Sequence, residues 1–156
     1  MAVELIPLLL LWPVLGAVAY QDFCFMRIPN RLVGYALVVF VLSCPLLTLE
    51  DIGVRIAAAT IVLTFGFVMF ALRLFGGGDV KMMAVLMLFI PAGAFSVYAF
   101  VFSVSMILGV LIILSLRALV FRTSSSFVSM RAAGTFPMGI SIALSGFVLP
   151  IVISAV

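Results

Sequence analysis

The chain has 156 residues, of which 67% are hydrophobic and 8% are charged, and its net charge is +3. Soluble domains have about a quarter charged residues, so this chain has too few polar side chains to cover a water-soluble globule. The mean hydropathy of +1.53 therefore predicts an integral membrane protein. At about 20 residues per helical span, residues 1–156 have room for a single transmembrane domain of about six helices.

The composition also excludes several kinds of site. The chain has no His, which rules out Ser-His-Asp catalysis, Cys-His catalysis and His-ligated metal sites. Two cysteines, Cys24 and Cys44, do not make a disulfide framework. Lys and Arg do not cluster on one polar face, so nucleic-acid binding is not expected.

Six apolar runs follow one another along the chain, and they predict an all-α polytopic membrane protein. The stretch from residue 80 to 116 is too long for one span, because a helix of that length would reach about 55 Å against a hydrocarbon core of about 30 Å. Pro91 to Ala94 is the natural turn within it. The predicted runs cover residues 3–20, 32–47, 54–72, 80–90, 95–116 and 136–156.

The basic residues predict the orientation. Seven of the eight Lys and Arg residues fall in three polar segments, 21–31, 73–81 and 117–135. Cytoplasmic loops carry an excess of Lys and Arg, so we expect the N-terminus outside and these three segments in the cytoplasm. Only Arg55 is then left on the outer side. The segment 117–135 is expected to lie on an anionic lipid leaflet.

Two of the five acidic residues fall at the predicted cytoplasmic face. Asp22 follows the first run and Asp79 precedes the fourth, and the two runs between them form one hairpin. Both acids therefore return to a similar depth in the membrane. Ionisable residues at such positions are functional candidates. Two carboxyl groups without any His suggest a dyad in which one acts as base on a water molecule and the other as acid.

Three motifs carry a resemblance to a known family. Gly76-Gly77-Gly78-Asp79-Val80-Lys81 resembles the Gly-x-Gly-Asp signature of intramembrane aspartic proteases, in the form found in type IV prepilin peptidases. Asp22, followed six residues later by Ile28-Pro29-Asn30, is similar to the first motif of that family. Phe136-Pro137-Met138-Gly139 resembles its Pro-x-Gly element, which opens the last helix.

The resemblance implies a membrane-embedded aspartic endopeptidase of the bacterial inner membrane, serving a type IV pilus or secretion system. Asp22 and Asp79 would be catalytic, Gly76, Gly78 and Lys81 would support the active-site loop, and no cofactor or metal would be needed. The substrates would be prepilins or pseudopilins, whose short basic leader is removed at the cytoplasmic face. The paired-Cys loop of the larger relatives is missing, so we expect no N-methyltransferase activity, as in the compact members of tight-adherence pilus systems.

Other roles for these residues stay open. Asp79 is also a favourable helix N-cap, and Asn30 could cap the second helix after Pro29. Lys81 could reach the lipid headgroups, hold Asp79 ionised or bind substrate. The helix dipoles favour Asp79 as the ionised base and Asp22 as the protonated acid.

Two other functions are compatible with the residues alone. Paired membrane carboxylates also form proton relays, so a small proton-coupled transporter or channel subunit is one alternative. A relay needs acids at mid-membrane, however, whereas Asp22 and Asp79 are expected at one face. The second alternative is an inactive scaffold, which would tolerate Asn at both positions.

Overall fold

In a computed structural model, the structure describes residues 2–119 and 136–155, and all regular structure in these two ranges is helical, as predicted. Two short 3₁₀ segments, Cys44–Leu46 and Ala92–Ala94, separate some of the helices. The second of them lies at the turn expected after Pro91. The α-helices are α1 (Ala2–Phe25), α2 (Asn30–Ser43), α3 (Leu49–Ala71), α4 (Gly77–Met87), α5 (Phe95–Leu119) and α6 (Met138–Ala155).

Four of the described helices are long and apolar enough to cross a membrane, namely α1, α3, α5 and α6. The apolar segment Asn30–Leu46, which contains α2, is shorter. With 11 residues, α4 is about 16 Å long and does not by itself match a core of about 30 Å. The chain is thus a membrane protein, while the predicted six crossings and the outside N-terminus stay predictions.

The start of α2 differs from the sequence-based expectation. Pro29 is the N-cap residue in an extended conformation, and no side chain caps the helix. The possibility that Asn30 caps the helix was wrong, because Asn30 is already the first helical residue. By contrast, α3 begins with an ordinary cap, since the Thr48 hydroxyl accepts a hydrogen bond from the Asp51 backbone N–H at 3.1 Å.

The short helix α4 is the most enclosed element of the bundle. Six of its eleven residues are buried, and all six are apolar. Three helices, α3, α2 and α6, pack against α4. Helix α1 packs against α6 and α2, and α5 packs against α6. The buried residues of α4 are Val80, Met82, Ala84, Val85, Leu86 and Met87.

One end of the bundle gathers four helix termini. The connection after α1 reaches the start of α4, because Ile28 lies against Gly78. The last turn of α1 reaches the start of α6, because Asp22 lies against Gly139. The C-terminal end of α1 and the N-terminal ends of α2, α4 and α6 therefore meet, and both predicted acids lie there.

Away from this end, a buried arginine connects three elements of the bundle. The side chain of Arg55 is fully buried within the bundle, and its expected place on the outer side of the membrane stays a prediction. It donates to the carbonyl oxygen of Leu88 at 3.2 Å and to that of Glu4 at 3.3 Å. These bonds connect α3 to the start of α1 and to the end of α4. Most of the segment 117–135, expected on a lipid leaflet, lies outside the described residues.

Candidate active site

Asp22 lies in the last turn of α1 and is 3% exposed. Its Oδ2 accepts a hydrogen bond of 2.6 Å from the backbone N–H of Gly139, the second residue of α6. N–H groups in the first turn of a helix have no partner within that helix, so this one is available to the carboxylate. A Cβ atom at position 139 would lie 2.8 Å from Asp22 Oδ2, and only glycine allows this approach.

Asp79 lies in the first turn of α4, three residues after the N-cap Gly76. Its carboxylate folds back over the N-cap and receives a hydrogen bond from the Gly76 backbone. This is the return bond of a capping box, in which the third helical residue satisfies the N–H of the cap. A Cβ at position 76 would lie 2.5 Å from Asp79 Oδ2. The N-cap role considered for Asp79 is therefore wrong, because Gly76 is the N-cap residue and Asp79 is the third residue of the helix.

The two carboxyl groups influence each other. Asp79 lies outside the four candidate spans. Burial, and after it the negative charge of Asp22, raise the pKa of Asp79 to about 6, while the bond from Gly76 acts in the opposite direction. Two interacting carboxyl groups ionise in separate steps, so between the two steps one keeps a proton while the other is charged. The structure thus brings the two predicted acids into one electrostatic unit that can act as acid and base.

A cavity of about 700 Å³ lies beside Asp79. Its walls are the connection between α1 and α2 together with the first two residues of α2, residues 26–31, and the glycine turn at the start of α4, residues 76–79. The two walls touch at Gly78, where a Cβ would lie 2.9 Å from the carbonyl oxygen of Ile28. Asp79 therefore faces an open space next to a glycine turn, whereas Asp22 is not among the residues that line it.

Lys81 also lines the cavity, and its ammonium group makes a hydrogen bond to a neighbouring helix. Its Nζ donates to Asn30 Oδ1 at 3.1 Å, so the bond joins α4 to α2. The pKa of Asp79 is set by burial, Asp22 and Gly76. The hypothesis that Lys81 holds Asp79 ionised therefore has no support in this arrangement.

A family model for the type IV leader peptidase family matches residues 9–114. This range is more than half of the chain and contains both aspartate motifs. The chain belongs to the type IV leader peptidase family. The predicted resemblance is thereby confirmed, and membership supports a membrane protease. No curated protein and no solved structure matches the chain.

The chemistry available at this leader peptidase site is that of carboxyl groups. In residues 2–119 and 136–155, no three Cys, Asp or Glu side chains are grouped so that they could hold a metal ion. Both cysteines are free thiols, Cys24 buried and Cys44 partly buried. Activation of water by Asp22 and Asp79 stays a prediction.

Sequence reasoning missed one residue of this site. Gly139 was noted as part of a Pro-x-Gly element at the start of the last helix, without any role towards Asp22. A signal existed, because a glycine just inside a helix start, after Pro137, exposes backbone N–H groups that no side chain covers. Nothing in the sequence indicated which acid these groups would meet.

Proposed function

We propose that this leader peptidase is an aspartic endopeptidase in which Asp22 and Asp79 form the catalytic pair. The observation that supports it best is the interaction of the two carboxyl groups at one end of the bundle, with Asp79 on the wall of a cavity. One carboxylate takes a proton from water, whose oxygen attacks the peptide carbonyl. The protonated partner gives its proton to the leaving nitrogen.

The proposed substrates are prepilins or pseudopilins with a short basic leader followed by a hydrophobic helix. Family membership supports this substrate class. The cavity is lined by three cations, Arg27, Arg31 and Lys81. We therefore expect the uncharged residues around the scissile bond to enter the cavity. The basic leader residues would stay with the anionic headgroups of the inner leaflet.

We propose further that residues 1–156 act as one domain in the bacterial inner membrane, with the N-terminus outside and the acid pair at the cytoplasmic face. The uneven distribution of Lys and Arg supports this orientation. The connection between α1 and α2 has only four residues, 26–29. It leaves no room for a loop with paired cysteines, which favours leader removal without N-methylation in a pilus or secretion system.

The transporter alternative is not favoured. A proton relay needs carboxyl groups along a path through the membrane. Asp22 and Asp79 instead lie together where four helix termini meet, beside a glycine turn and a cavity. Family membership also supports a protease.

Co-expression with candidate prepilins tests the proposed function. Wild type should shorten the substrate, and Asp22→Asn and Asp79→Asn should each abolish cleavage while remaining in the membrane, since an amide can act neither as acid nor as base. Glu50→Gln is the matched control, because Glu50 is an exposed acid at the start of α3. Cleavage by either Asn variant at close to the wild-type rate would rule out the dyad.

A further inference from the structure

Helices α2 and α3 leave a gap between them on the surface of α4. Both helices pack against α4, yet among the described helices these two hardly touch each other. The gap holds a cavity of about 470 Å³, which is lined by residues of α2, α3 and α4. A second cavity of about 470 Å³ lies between α3 and the first residues of α4. These two cavities together are called the lateral groove.

The lateral groove leads into the cavity beside Asp79. Its two parts share Leu63 and Lys81, and the part nearer the start of α4 shares Gly77 and Lys81 with the Asp79 cavity. Along α4 the lining residues extend from Gly77 to Leu88, which is a rise of about 16 Å. The groove therefore starts at the candidate active site and follows α4 away from it for about three helical turns.

The lining of the groove is apolar, whereas the cavity at its end is charged. Among the described residues that line the groove, Lys81 at the junction is the single charged one. Thr60 and Thr64 also line it, and their hydroxyls donate to carbonyl oxygens of their own helix at 2.8 Å. An occupant that fits both the groove and the cavity is therefore apolar over about 16 Å and has a polar segment at Asp79.

One face of α3 borders the groove and is uncovered. Its lining residues recur at every third or fourth position, which is the spacing of one helical face, and Ile56, Leu63 and Phe67 are exposed. A helix that lies in a groove contacts such a face through side chains with the same spacing. Small residues among them allow a second helix to approach closely. The lining residues of α3 up to position 67 are Ile56, Ala59, Thr60, Leu63, Thr64 and Phe67.

We infer that the lateral groove is the docking site for the hydrophobic helix of the prepilin, which follows the scissile bond. This inference rests on the proposed peptidase function. With the scissile bond at Asp79, about the first 11 residues of the helix lie along α4. A lipid chain matches the apolar lining but brings no peptide bond to Asp79, whereas the prepilin helix accounts for the lining and for its continuity with the cavity.

Photocrosslinking identifies the occupant of the groove. A photoreactive phenylalanine analogue replaces either Leu63, in the groove, or Phe65, an exposed residue of the same helix that lines neither part of the groove. The Asp22→Asn background keeps a co-expressed prepilin uncleaved. Illumination should join position 63 to about the first 11 residues of the prepilin helix and should join position 65 to no part of the prepilin.

Cleavage kinetics in detergent micelles test whether docking contributes to binding. Thr60→Trp fills the groove, and Ile61→Trp is the matched control, because Ile61 is exposed at the next position and lines neither part of the groove. Thr60→Trp should raise the KM for full-length prepilin by about tenfold relative to the control. The effect should fall on KM rather than on kcat, because the helix makes the same contacts in the ground state and in the transition state. A peptide with the leader and the scissile bond but without the helix should not distinguish the two variants.

Three outcomes would overturn the docking site: adducts of position 63 with lipid alone, adducts with a second copy of the chain, or equal KM values for the two Trp variants. Cleavage of prepilin by wild type alongside any of them would leave the proposed function standing. Conversely, an adduct between position 63 and the prepilin helix, in a protein whose wild type cleaves no prepilin, would remove the peptidase function and keep the docking site.

Discussion

Ionisation of Asp79 costs the folded protein free energy. Its pKa is raised from 3.8 to about 6 on folding, chiefly by burial and then by the charge of Asp22. The folded state therefore binds the proton more tightly than the unfolded state does. The stabilisation that comes from this tighter proton binding is complete below about pH 3.8, and it is lost as the pH rises through about 6.

Asp79→Asn should therefore stabilise the protein while it abolishes catalysis. At pH 8 we expect the free energy of unfolding to rise by about 1–3 kcal/mol, which is the range set by a pKa shift of about two units at a partly exposed site. At pH 4 the difference from wild type should nearly vanish. Thermal unfolding in detergent at both pH values measures this, with Glu50→Gln as a surface control. A variant that is less stable than wild type at pH 8 would contradict it.

The sequence was enough to find the two acids, and not enough to find their partners. Asp22 and Asp79 stand in short local motifs, and the alternation of apolar runs places them at one face. The bond from Gly139 joins residues 117 positions apart, and the bond from Lys81 to Asn30 spans 51 positions. Such pairings depend on how the helices pack, which no local pattern records.

Among the helices, the boundaries were easier to predict than the burial. Charges and prolines interrupt the apolar runs, so the turn after Pro91 could be read directly. The central position of α4 could not be predicted from the sequence, because lipid tails are as apolar as a protein core. Met82 on α4 is fully buried and Phe67 on α3 is 64% exposed, yet both belong to similarly apolar runs.

The contact between the α1–α2 connection and the start of α4 should control the geometry of the acid pair. Gly78→Ala places a Cβ 2.9 Å from the Ile28 backbone oxygen, and a backbone atom cannot move aside as a side-chain end can. The two walls of the cavity must then separate. We expect cleavage to fall by about 10- to 100-fold, the loss that follows from misplacing catalytic groups by about 1 Å.

Gly53→Ala is the control for this substitution, because nothing lies within 4 Å of a Cβ at that helical position. It should leave the cleavage rate within about twofold of wild type and add slightly to helix stability. Equal rates for Gly78→Ala and Gly53→Ala would show that the contact with Ile28 has no bearing on the site.

Arg55 should matter for stability and leave the chemistry intact. Its two hydrogen bonds join α3 to backbone carbonyls of Glu4 and Leu88. Arg55→Met keeps much of the apolar stem and removes both donors, and we expect a loss of about 3 kcal/mol in the free energy of unfolding. Arg73→Met changes an exposed arginine beyond the other end of α3 and is the control. Thermal unfolding compares the two, and equal melting temperatures would contradict the role of Arg55.

Across the whole molecule, the candidate site belongs to one end of the bundle, so its function depends on which side of the membrane that end faces. Helix α3 connects the two ends, since 23 residues span about 34 Å. Leu74 lies just beyond its C-terminal end, near the glycine turn and Asp79, and Leu49 is its first residue. Both side chains are exposed, so they report the two sides of the membrane without any change in charge.

Leu49→Cys and Leu74→Cys, each in a background with Cys24→Ala and Cys44→Ala, test the orientation in intact cells. With seven of eight basic residues in segments assigned to the cytoplasm, a membrane-impermeant maleimide should label position 49 from outside and position 74 only after the membrane is opened. Cleavage of a co-expressed prepilin by both variants confirms that they are folded. Labelling of position 74 in intact cells would place Asp22 and Asp79 at the outer face. A basic leader held in the cytoplasm could not reach the pair there.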